Sequence, residues 1–89
     1  MSNSTIDITQ SVLKKLQLNT TAIISDNASK ALLYKTQFDE GTITKEEYSD
    51  LLQDMISTVK IAELSDELEM KILLLQCLNT LEQIIATKI

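Results

Sequence analysis

The 89 residues contain no proline and a single glycine, Gly41. Tight β-hairpins and multi-turn β designs depend on those two residues for punctuation. A chain this poor in breakers is left with long helices joined by short links, so an all-α fold is expected. The length supports one domain around one core. Aromatic residues are 3% and Trp is absent, so that core must be aliphatic. We expect a small bundle of three or four helices in one helical domain over 1–89. Residues 1–21 form an N-terminal helix and turn, 22–62 a helical hairpin, and 63–89 a C-terminal association helix.

The first helix is read over about Thr5 to Leu18, where Ile8, Val12 and Leu16 recur every fourth residue with Leu13 beside them. Ser2 to Thr5 offer caps, Asn19 a stop, and residues 19–21 a turn. Ala22 to Ile24 either open the next helix or link to it in extended form. The hairpin proper is expected over 26–62, with Asp26 as N-cap of a helix that ends near Glu40. Its apolar side holds Ile24, Ala28, Ala31 and Phe38, with Tyr34 at the margin.

The sharpest local signals follow. Gly41 stands where a helix end wants a residue at positive φ. Thr44 and Glu47 make a T-x-x-E capping box, and Ile43 with Tyr48 a hydrophobic staple. A third helix therefore starts at Lys45, and Tyr48, Leu52, Met55, Val59 and Ala62 follow at 4-3-4-3 spacing. The phase slips near Ser65. With no glycine or proline to force a break, one rod from Thr44 to Thr87 competes with a kink at 63–66, which is favoured. Asp66 with Glu69 could then cap the next helix.

The last helix, about Asp66 to Thr87, has apolar residues on two sides. Met70, Leu73, Leu74, Cys77, Leu78, Leu81, Ile84 and Ile85 form the main face; Leu68, Ile72, Leu75 and Ala86 lie roughly opposite. Two apolar sides need two covers, and three short helices supply one. Leaving Leu68, Ile72 and Leu75 in water forfeits about 1.5–3 kcal/mol each, against a net stability of about 5–15 kcal/mol for a small domain. Self-association is therefore expected, as a dimer, or docking onto another protein. Its anchors would be Leu68, Ile72, Leu75, Leu78, Leu81 and Ile85, rimmed by acids at 63–69.

Composition excludes most chemistry. There is no His, which removes Ser-His-Asp catalysis, imidazole metal ligands and the Glu-x-x-His pairs of di-metal bundles. No P-loop, dinucleotide-binding glycines or CxxC occur. Cys77 stands alone in an apolar run and is read as a buried, inert thiol. All eight basic side chains are Lys and the net charge is −5; without Arg, and with this sign, nucleic-acid binding is not expected. Residues 1–35 sum to +2 and residues 36–89 to −7. Met1 to Thr9 lack the pattern of a signal peptide. The apolar cluster Met70 to Ala86 is broken by Lys71, Gln76, Asn79, Glu82 and Gln83, too often to span a bilayer. No enzyme activity, cofactor, metal or membrane partner is expected.

Two resemblances lie on the hairpin. Asp39 to Glu47 resembles the second half of an EF-hand loop, with Gly41, Ile43 and Glu47 at its sixth, eighth and twelfth positions. The first and third positions fall on Thr36 and Phe38, and only Glu40 at the fifth is acidic, so calcium binding is not expected. Residues 31–55 are similar to the short helical-hairpin module known as SHOCT, on Leu32, Leu33, Phe38, Gly41, Ile43, Thr44, Glu46, Glu47, Tyr48 and Leu52. The resemblance implies a role in oligomerisation or protein contact. The expected function is that of a non-enzymatic structural or adaptor protein, in one concrete form a small phage structural or assembly-accessory protein; the Lys-only, Ile- and Thr-rich usage fits an AT-rich genome. The expected location is the cytoplasm or a viral particle assembled there. The alternative is an acidic regulatory protein that sequesters a basic partner through residues 39–69.

Overall fold

The structure, a computed structural model, describes residues 4–87. The capping candidates Ser2 and Asn3 lie outside them. The described residues form four α-helices and no strand: α1 (Ser4–Leu16), α2 (Ala22–Asp39), α3 (Lys45–Ile61) and α4 (Leu68–Thr87), the last preceded by a 3-10 turn at Ser65–Glu67.

Helix α1 ends two residues before the expected Leu18. The amides of Gln17, Leu18 and Asn19 turn back to the carbonyls of Leu13, Lys15 and Leu16, and Asn19 Oδ1 accepts the Thr21 amide at 2.8 Å. That Asx-type turn redirects the chain at once. Helix α2 then starts at Ala22, four residues before the expected cap. Asp26 lies inside the helix rather than at its start. The reason is tertiary. Ile24 is fully buried, and the helix must already be wound there to aim it, with Ala28 and Ala31, into the core. Thr21 holds the N-cap position with no side-chain cap of its own.

At the other end of α2, Gly41 has φ +78°. The Thr42 amide donates to Gln37 O at 2.8 Å and the Gly41 amide to Phe38 O at 3.1 Å, the paired bonds of a Schellman stop. The capping box of α3 is formed: Thr44 N donates to Glu47 Oε1 at 2.8 Å, and Glu47 N to Thr44 Oγ1 at 3.1 Å. Ile43 and Tyr48 both join the core cluster, as a staple requires.

Helices α3 and α4 are separate. Ala62 is extended (φ −69°, ψ 133°) and Leu64 packs inward. The carbonyls left over at the end of α3 receive Lys71 from the first turn of α4, whose Nζ donates to Lys60 O at 3.0 Å and to Ala62 O at 2.8 Å. A cation at a helix C-terminus also suits the helix dipole. Asp66 sits within the 3-10 turn instead of capping α4.

Each helix packs on its neighbours in the ring α1–α2–α3–α4–α1. Across the diagonal, α2 meets α4, whereas no Cα of α1 comes within 8 Å of one in α3. The bundle measures 38 × 25 × 19 Å.

Candidate protein-interaction surface

Helix α4 has an inner face and an outer flank. Leu74, Leu78, Leu81, Cys77 and Ile85 are buried against the other three helices. Three of the residues expected as association anchors, Leu78, Leu81 and Ile85, are thus part of this chain's own core and offer no free surface. They lie on the same side as Leu74 and Cys77, and the three shorter helices together close over that side. Leu75 is half-buried, packed on the core's edge.

The other two anchors remain in solvent. Leu68 is 54% and Ile72 47% exposed. They sit one turn apart on the same strip of α4, below a third aliphatic that the sequence did not single out. Ile61, the last residue of α3, is 82% exposed. Ile61 and Leu68 line one shallow groove of about 510 Å³ with Leu64, Lys60 and Lys71. The α3–α4 link therefore gathers exposed aliphatics at one corner. Ile61 was detectable only as a large aliphatic out of phase with the 4-3-4-3 pattern of α3. Lys71 left no local signal, because its partners lie on another helix.

Acids surround the corner. Glu63, Asp66 and Glu69 are exposed and Glu67 half-buried. Among the described residues no group of three or more Cys, Asp or Glu side chains is placed to hold a metal ion. The cap residues Gly41, Ile43, Thr44, Glu47 and Tyr48 lie at the opposite end of α3, committed to the turn; Thr36 and Phe38 are residues of α2.

Two groups have displaced ionisation. Burial pushes the Cys77 thiol up to about 11, so it holds its proton and lacks the thiolate a nucleophile needs. Burial, reinforced by the Asp39 carboxylate, also raises Tyr48 well above the usual phenol range. The Tyr48 hydroxyl is enclosed without a hydrogen-bond partner, and its ring lies 5.1 Å from that of Phe38. Tyr48 is fully buried and Cys77 nearly so. Among the described residues no helix is long and apolar enough to cross a membrane. No protein-family model, curated protein or solved structure matches the chain.

Proposed function

We propose that this chain is a non-enzymatic structural or adaptor protein that works by self-association, through the outer flank of α4 and the adjoining end of α3. The observation that carries this reading is that the exposed Ile61 and Leu68 line one groove, with Ile72 exposed one turn further along α4 from Leu68. Single exposed aliphatics are ordinary, but a contiguous group marks a contact surface. Covering each of these side chains yields up to about 1.5–3 kcal/mol, scaled by the fraction still exposed. The likeness of the α2–α3 hairpin to an oligomerisation module points the same way.

Sedimentation equilibrium at micromolar concentration tests it. The wild-type chain should sediment as a multiple of its own mass, and should still do so in 0.5 M salt, where the Debye length is only a few ångströms. Ile72→Asp should sediment as one chain with its helicity unchanged. A wild-type chain that stays monomeric throughout overturns the reading. Association with an added basic protein, lost steeply in salt, would favour the acidic stretch instead.

A further inference from the structure

Lys71 holds the α3–α4 corner by occupying two carbonyls that a longer α3 would need. In an uninterrupted α-helix each carbonyl accepts from the amide four residues on, so Lys60 O would pair with Leu64 N and Ala62 O with Asp66 N. Both instead accept Lys71 Nζ, at 3.0 and 2.8 Å. No breaker stops the helix there. Residues 62–67 read Ala-Glu-Leu-Ser-Asp-Glu, without glycine or proline. Ala, Leu and Glu are strong helix formers, and Ser and Asp detract little. The bend is made at Ala62 (φ −69°, ψ 133°) and Leu64 (φ −123°, ψ 53°), and Leu64 packs inward.

We infer that Lys71 is a latch: on its release α3 and α4 join into one helix over 45–87, and the chain exchanges α4 with a second copy. Size compels the exchange. As one rod those residues measure about 65 Å at 1.5 Å per residue, against a longest bundle dimension of 38 Å. Helix α4 is then carried off its own α1 and α2, and Leu74, Leu78, Leu81 and Ile85, buried in the closed chain, lose their cover. A cradle already shaped for them is the one that α1, α2 and α3 of another copy vacate in the same way. Exchange of an identical element restores these contacts and is a low-cost route to a dimer. The closed and exchanged forms then differ at the link, where two lysine bonds are traded for backbone ones, and in the entropy of association.

Concentration therefore decides what release does. In dilute solution it only frays the end of α3; on refolding at high concentration the exchanged pair forms. The outer flank of α4 takes no part, so exchange goes beyond the self-association proposed above and does not rest on it.

A pair of cysteines in the full chain separates the two forms. Ser49 and Ala86 line one groove, between the start of α3 and the end of α4. With Ser49→Cys and Ala86→Cys, a short bis-maleimide should join the two within one closed chain. In the rod the same two positions lie about 55 Å apart, so the reagent can only join different chains and gives a covalent dimer on a denaturing gel. Cys77 is buried and does not compete. After unfolding in urea and refolding at high concentration, the latched chain should give mainly the single-chain product. Adding Lys71→Gln should raise the covalent-dimer share roughly tenfold, since two charge-assisted bonds per chain are lost. Lys71→Arg, which keeps the charge, should restore the single-chain product. Glu63→Pro added to Lys71→Gln should do so too, because proline bars the rod while Ala62 is already extended as the residue before a proline must be. A folded Lys71→Gln chain that crosslinks only within itself overturns the latch. If that variant does not fold, Ser65→Ala with Asp66→Ala decides instead: both raise helix propensity in the link, and a covalent-dimer share no larger than in the parent overturns exchange. Bent subunits paired through their flanks still crosslink within each chain, so either negative result leaves flank association standing.

Discussion

At the scale of the residue, Gly41 decides most. Its left-handed backbone (φ +78°) is one that other residues adopt at a cost, and a Cβ added there would meet nothing within 4 Å. Gly41→Ala should therefore lose only the backbone preference, about 1–2 kcal/mol, which lowers the melting temperature of a domain this size by roughly 4–8 °C per kcal/mol. Calorimetry would read it directly. Tyr48 is the reverse case. Its hydroxyl is enclosed with no partner, and a buried polar group left unsatisfied is costly. Tyr48→Phe should raise the urea midpoint by the equivalent of about 1 kcal/mol. The same residue, with Cys77, sets an alkaline limit. Both hold their protons more tightly folded than unfolded, Cys77 to about 11 from an ordinary 9.0. The unfolded chain then binds fewer protons as pH rises, and stability falls. Urea midpoints should be flat near pH 7–8 and drop from about pH 9 upward; Tyr48→Phe should lessen the fall above pH 10. A midpoint that held level to pH 11 would contradict the burial of both groups.

At the scale of the element, legibility followed the reach of the interaction. The turn at Gly41 and the start of α3 could be read because stop, staple and capping box are complete within residues 37–48. The start of α2 could not. Asp26 is a good capping type, but the need to bury Ile24 outweighed it, and no local pattern carries that need. The division between α3 and α4 was half legible: the phase slip marked it, while the Lys71 ammonium that holds it lies nine residues beyond Ala62. Lys71→Met keeps most of the stem and removes two charge-assisted bonds, each worth about 1.5–3 kcal/mol at most when enclosed. In this partly exposed setting we expect a loss of about 1–2 kcal/mol in urea unfolding. Hydrogen exchange should quicken at the end of α3 more than at Leu52.

At the scale of the whole molecule, periodicity located α4 as the helix with two apolar sides but could not divide its residues between core and surface. That division depends on how far α1, α2 and α3 wrap round it. Helix α4 lies against α1 and α3 and, across the diagonal, α2; Leu78, Leu81 and Ile85 are buried while Leu68 and Ile72 stay outside. A pair of variants separates the two populations. Leu78→Asp places a charge in a fully buried position and should unfold the chain. Ile72→Asp should keep its circular dichroism and melt close to wild type as a monomer. Equal damage from both would mean that the flank belongs to the core.

The hairpin's self-contained turn has a consequence in time. Because its stop and restart signals are all near neighbours in the chain, α2 and α3 can close on each other at little loop-entropy cost, before the terminal helices find their places. The rate-limiting ensemble would then already hold this corner, and the penalty of Gly41→Ala should show in the refolding arm of a chevron plot while the unfolding arm barely moves.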